Sequence, residues 1–479
     1  MRRRVLALLV LSGCFTTIAG SGARAQAGSG AGGREAVDAL PRAPGAAITT
    51  VTPSPGFFTE PSIAVDPRDP RRVVAAYQDN AHAAWSIDGG ATWTLADSTT
   101  TAPPDYRVSG DVSVTFDRQG HAFLCYMAFD RLGTEGYWAH GATRGGIFVR
   151  RSLDGGRTWA RDHVALAEHP SEPGVPWEDK PYILADNTNG RYAGNLYVGW
   201  TRFLVDRTLV LFTRSTDDGA TWSRPIVISS TPGLPRDDNG AVEGFSGAVG
   251  PDGTVYAVWA DGNGIAFTSS RDGGRTFGRS RTVIRTGPLY YGIASFTRGN
   301  GFPVIAVDPG HTGGEDAHHE RLFVTWSDYT NGDFDVFVAT SVDRGQHWSP
   351  PVRVNTDPLH DGRDQFFTWL AVDPSDGSAY ALFYDRRGDS ANVRPTVTLA
   401  RSSDGGQSWR NFAWSTDPFD PHRAGFLGDY SGIAALGGRV YGIWTEEASS
   451  APPSAGAGPS GARARANTIV RIGVAEFSR

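Results

Sequence analysis

The chain is predicted to be all-β, a seven-bladed β-propeller, on three observations. The formula SxDGGxTW, with small variations, occurs six times, its central aspartates stand 55 to 71 residues apart, and a strand pair of constant pattern occurs seven times. Steps of that length exceed a helical solenoid unit and suit one four-stranded blade.

The six motifs begin at Ser86, Ser152, Ser215, Ser270, Ser341 and Ser402, with aspartates at Asp88, Asp154, Asp217, Asp272, Asp343 and Asp404. Each reads as a tight turn between two strands. Glycine pairs such as Gly89 and Gly90 supply positive φ, and the Asp accepts hydrogen bonds from amides of its own turn. A turn formula used six times describes folding and cannot be six active sites.

The first strand of each pair is read at Ser62–Asp66, Val112–Asp117, Tyr182–Asp186, Gly247–Gly250, Val304–Asp308, Thr368–Asp373 and Gly432–Leu436. The second is read at Val73–Tyr77, Phe123–Met127, Leu196–Trp200, Val255–Trp259, Leu322–Trp326, Ala379–Phe383 and Val440–Trp444. The seventh unit has no motif; after Ser449–Ala466 it supplies one strand, Thr468–Phe477, and stops. Its fourth strand is expected from the β-branched run Ala47–Thr52, which would close the ring with chain from both ends.

Residues 1–25 read as a signal peptide: Arg2, Arg3 and Arg4, an apolar run from Val5, and small residues to Ala25. The expected location is secreted or periplasmic. The alternative is a lipoprotein anchored through Cys14, because Leu11 to Cys14 form a lipobox. Residues 26–46 form a Gly/Ala-rich lead, and 47–479 a single propeller domain. Loss of residues 1–25 leaves 41 basic against 51 acidic residues, a charge near −10 that argues against nucleic acid and anionic membranes. No later segment is apolar enough to span a membrane, and Cys125 alone remains, so no disulfide within the chain is expected.

Blade topology puts loops entering first strands and leaving second strands on one face, opposite the motif turns. The second strands were aligned on Tyr77, Met127, Trp200, Trp259, Trp326, Phe383 and Trp444. The residues two positions on are then Asp79, Phe129, Arg202, Asp261, Asp328, Asp385 and Glu446. Loops before first strands add Glu60, Asp111, Glu178, Asp179, Glu243, Asp364 and Asp429, with Arg107, Lys180 and Arg363 beside them. A ring of carboxylates interleaved with Trp177, Phe366, Tyr384 and Tyr430 suits glycosidic bond cleavage, one carboxyl acting as acid and another as base or nucleophile. Arg386 and Arg387 put two guanidiniums at one strand exit, a pairing that matches an anionic group. His311, His318, His319 and Glu320 lack the helical spacing of a zinc site and fall on the motif face. No metal and no cofactor are expected.

The six motifs resemble the Asp-box, or BNR, repeat, and from residue 47 onward the chain resembles the sialidase superfamily of propellers. The resemblance implies a propeller, with a six-bladed sialidase-type ring plus an irregular C-terminal unit as the alternative count. It also implies an activity class: retaining sialidases use a Tyr nucleophile assisted by Glu, an Asp acid/base and three Arg that clamp a carboxylate. Related propellers cleave xyloglucan or arabinan, act as lyases, or bind proteins. Where a sialidase opens its first blade with Arg-Ile-Pro, this chain has Thr59, Glu60 and Pro61, so no catalytic residue is carried over.

The expected function is therefore an exported, sialidase-like glycoside hydrolase acting on an anionic carbohydrate. Asp179, Asp364, Asp429, Tyr430 and Glu60 are the catalytic candidates. Trp177, Glu178, Lys180, Arg202, Arg363, Asp385 and Arg386 are the substrate-binding candidates. The alternatives are a non-catalytic propeller that binds glycan or protein, and a polysaccharide lyase.

Overall fold

A computed structural model describes residues 39–78, 80–96, 102–131, 142–169, 176–262, 264–293, 296–310, 320–448 and 467–478. The signal peptide, most of the lead, Asp79, the histidines at 311, 318 and 319, and the stretch 449–466 lie outside the described residues. Seven four-stranded antiparallel sheets follow one another along the chain. The sequence order of strands is their spatial order in six of them. In the seventh the order is Ala47–Thr50, Thr468–Glu476, Arg439–Glu447 and Gly432–Leu436. Ala47 faces Val474 and Thr50 faces Arg471 across that seam. The first and last parts of the propeller are thus held by one ladder, which removes an exposed edge.

Each of the six repeated turns, or boxes, has one hydrogen-bond pattern. In the first, Gly90 N–H donates to Ser86 Oγ at 2.9 Å, Thr92 N–H to Asp88 Oδ1 at 3.0 Å and Thr92 Oγ to Asp88 Oδ2 at 2.6 Å. These donors hold the Asp88 carboxyl down at about 2. Asp218 and Arg344, at φ 56° and 62°, stand where other boxes have the first glycine, so the turn geometry survives the substitution. The second glycine is needed for space as well. A Cβ on Gly156 would sit 2.3 Å from Val74 of the preceding blade, and one on Gly90 would sit 2.8 Å from Val474 of the seventh.

The box positions also set strand register. Val73, Ala122 and Leu196 pair with the box serines Ser86, Ser152 and Ser215. Counting four residues on gives Tyr77, Tyr126 and Trp200, so the buried aromatic column of blade two is Tyr126 rather than Met127, and Ala128 rather than Phe129 follows it. A bulky apolar residue on each side of Tyr126 made the two frames indistinguishable by hydrophobicity alone.

The inner strands begin earlier than the sequence suggests: Thr59–Asp66, Val108–Phe116, Trp177–Ala185, Glu243–Val249 and Gln365–Val372 all include residues read as loop. In each a β-bulge breaks the register two residues before the regular ladder. The bulged residues Glu60, Asp111, Lys180, Gly244 and Phe367 have φ of 50°, 46°, 50°, 73° and 51°. Four of the five are not glycine, and each accepts a conformation that costs on the order of 1–3 kcal/mol. Such bulges redirect side chains while keeping the strand paired. Below them, Ser62, Ser113 and Ser246 Oγ accept the N–H of Val114, Ile183 and Ile305 in the next blade, at 3.1, 3.1 and 3.2 Å. The inner rim is stitched from blade to blade.

Between blades four and five the chain inserts a hairpin outside the repeat, Tyr290–Ile293 paired with Phe296–Asn300. Ile293 packs in a core cluster made mostly of residues from blades six and seven, so the hairpin reaches past blade five.

Candidate functional site

The bulges of blades one, two and three bring Glu60, Asp111, Asp179 and Lys180 together at one mouth of the central channel. Asp429 arrives from blade seven, Asp237 from the loop before blade four and Arg298 from the inserted hairpin. Trp177, Met127 and Phe426 complete a cavity of about 400 Å³ including its open mouth. An adjoining hollow that shares Lys180 with it is aromatic: there Trp369 lies between Tyr182 and Tyr430, with ring centroids 6.0 and 5.7 Å away.

Lys180 is the hub. Its Nζ lies 2.9 Å from Glu243, 3.0 Å from Asp429, 3.4 Å from Asp179 and 3.9 Å from Asp237, and the residue is 6% exposed. Arg298 forks onto Asp429, with Nε on Oδ1 and Nη2 on Oδ2, both at 2.5 Å; its Nη1 lies 3.2 Å from Asp237. The same guanidinium lies 5.8 Å from the centre of the Phe426 ring.

These charges split the carboxyls into two kinds. Burial would raise Asp429, but Arg298 and Lys180 hold it down at about 2. Glu60 is pushed up to about 7, first by burial and then by the charge of Asp429. Asp111 is raised well above the ordinary carboxylate range by burial, then by Glu60 and Asp179. Glu60 Oε1 accepts the Asp429 N–H at 3.2 Å, so the proton-holding and the ionised carboxyl are neighbours.

One consequence is a pH-dependent stability. Glu60 binds its proton more tightly folded than unfolded, so its contribution is complete below about 4.5 and is lost as pH rises through about 7. Asp429 shifts the other way and acts only at much lower pH. The melting temperature is expected to fall between about pH 5 and about pH 8, and Glu60→Gln to flatten that fall. Parallel thermal melts of the two proteins read it directly.

The other candidates lie elsewhere. Glu178 faces the body of blade three, where Arg202 Nε at 2.7 Å, Trp200 Nε1 at 2.6 Å and His169 Nε2 at 2.8 Å surround its carboxyl. Asp364 accepts the Phe334 N–H at 3.1 Å and Asn392 Nδ2 at 2.7 Å, and pairs with Arg386 at 3.4 Å. Arg386 is 0% exposed and stacks 5.1 Å from the Phe366 ring centre. Arg363 donates to the Ser390 carbonyl at 2.7 Å, and Asp385 takes Arg387 Nε at 2.6 Å and Thr398 Oγ at 2.7 Å. The anion clamp expected of Arg202 and Arg386 is not assembled, because each guanidinium is bound by a carboxylate of its own blade. Tyr430 lines the adjoining hollow, its hydroxyl donating to the Val112 carbonyl at 3.4 Å. Burial, then Asp111 and Glu60, push its ionisation well up, which opposes the phenolate a nucleophile needs.

The acidic residues at strand exits fold back on their own blades. Asp328 and Glu446 accept the indole N–H of Trp326 and Trp444 at 2.9 and 2.7 Å, and Asp261 accepts Thr282 Oγ at 2.9 Å. Three cavity residues carry no mark in the sequence reading, Asp237, Arg298 and Phe426. The signal for Arg298 was the box spacing: the step from Asp272 to Asp343 is 71 residues, the longest, and the hairpin is the excess.

Fold and site together define the class: a seven-bladed β-propeller with a charged cavity at one end of its channel. No protein-family model and no curated protein matches the chain. Among solved structures it is similar to the phage phi92 endosialidase, at 13% identity over 91% of this chain and 69% of that one, with a TM-score of 0.50. It is also similar to the Hadza microbial sialidase Hz136, at 16% identity over 85% and 73% of the two chains, TM-score 0.48. A third likeness is to YCF48 bound to D1 peptide, at 14% identity over 92% and 98%, TM-score 0.45. At such identities the likeness is one of fold, the β-propeller, and not of activity.

Proposed function

We propose that the protein is a glycoside hydrolase acting outside the cytoplasm, with its active site in the channel-mouth cavity. Glu60 is the proton donor and Asp429 the ionised carboxylate, with Asp179 beside them. The observation that carries this reading is the pairing of a carboxyl that keeps its proton near neutral pH with an adjacent one that does not. Arg298 and Lys180 keep Asp429 charged, and burial, then that charge, keeps Glu60 protonated. Trp177, half-buried at the cavity wall, offers apolar surface to a sugar ring.

The test is turnover of chromogenic glycosides of neutral, amino and acidic sugars, together with the corresponding polysaccharides. At least one class is expected to be cleaved. Glycan binding without turnover on any member would replace the hydrolase with a binding propeller.

A further inference from the structure

Positive charge is scarce in the cavity and already committed. Five carboxyls line it, those of Glu60, Asp111, Asp179, Asp237 and Asp429, against Lys180 and Arg298. Lys180 pairs with Asp179 and Asp429, and Arg298 with Asp237 and Asp429. Among the described residues, no Lys or Arg side-chain nitrogen pairs with Glu60 or Asp111 within 4 Å, although the two are 3% and 4% exposed. Glu60 has its own explanation as the proton donor. Asp111 has no counter-charge: its carboxyl accepts the Lys180 backbone N–H at 3.2 Å and otherwise hydrogen-bonds the carboxyls of Glu60 and Asp179. A buried carboxyl is stable when it meets a cation or keeps a proton.

A second, separate feature shows what this cavity accepts. Arg298 comes from a hairpin outside the repeat, yet it finds a complete guanidinium socket: a bidentate carboxylate, a second carboxylate and the face of Phe426. The cavity wall is therefore already selective for positive charge against an aromatic face. An anionic sugar would put its carboxylate among Glu60, Asp111 and Asp179, with both cations spent.

Resting on the glycosidase reading of the same cavity, we propose that its substrate is an amino sugar, with the protonated amine seated against Asp111 and the ring against Trp177. The ammonium brings three N–H donors to a carboxyl that lacks a cation. It also leaves Asp111 ionised next to Glu60, and that negative charge helps Glu60 keep the proton it must deliver.

The experiment is calorimetric titration of the intact protein with three probes: a glucosamine tetramer, its fully N-acetylated counterpart and sialyllactose. It is run at about pH 6, where a sugar amine is charged. The amine tetramer is expected to bind at least about tenfold more tightly than the acetylated one, the size of one charge-assisted hydrogen bond. In Asp111→Asn, of nearly the same shape, that preference is expected to shrink to within about threefold, with an unchanged melting profile as the check on folding. Acetylated or sialylated probes binding as well as the amine would overturn the amino-sugar inference and leave the glycosidase reading standing. A preference that survives in Asp111→Asn would overturn Asp111 as the seat. Failure of all three probes to bind, with no turnover in the glycoside panel, would overturn both.

Discussion

Replacing Lys180 by Met is expected to cost about 3–5 kcal/mol of stability, the loss associated with removing one partner from a buried ion cluster. The ammonium is the shared counter-charge of Glu243, Asp429 and Asp179, at 2.9, 3.0 and 3.4 Å, and these acids come from three different blades. Without it, three buried carboxyls retain only Arg298 nearby, and that guanidinium reaches Asp429 alone among them. Methionine fills a similar volume and leaves the positive φ of the bulge unchanged in kind, so the effect reports charge rather than packing. The deficit is expected to be smaller at acid pH, where the orphaned carboxyls take protons instead. Denaturant midpoints at two pH values measure it. A loss below about 1 kcal/mol at neutral pH would mean that the cluster does not hold the channel mouth together.

Glu60→Gln is expected to lower kcat by about 10²–10⁴-fold, the contribution of a positioned general acid, with a much smaller change in KM. The pH profile is the sharper readout. A proton donor held at about 7 gives an activity that falls on the alkaline side of that value, and the variant has no such limb because glutamine does not titrate. Asp429 defines the acidic side, since it must lose its proton and does so at about 2. A variant that keeps its rate and its alkaline limb would remove Glu60 from the chemistry while leaving the cavity in place.

The architecture was legible because its signals are local and repeated. Six turns of one composition, each needing positive φ and an aspartate to bind its own amides, are set by residues within eight positions of one another. The strand Ala47–Thr50 was recognisable because an all-β ring with three strands in its last blade leaves an open edge. The channel-mouth acids Glu60, Asp111, Asp179 and Asp429 were also visible as charged residues beside inner strands. What separated them from Asp364, Asp385 and Glu446 was not composition, because all are acids next to strands. It was the bulge, which turns Glu60, Asp111 and Lys180 into the channel, while the others find indole, hydroxyl or guanidinium donors in their own blades.

The amino-acid sequence by itself therefore determined the blade, its turn and the way the ring closes, since these depend on contacts between near neighbours and on a period repeated along the chain. Only the tertiary structure decided which charges meet. Asp429 and Arg298 are 131 residues apart, and Glu60 and Asp429 are 369 apart. The proton affinity of each group depends on burial and on neighbours supplied by other blades, and a linear pattern carries neither.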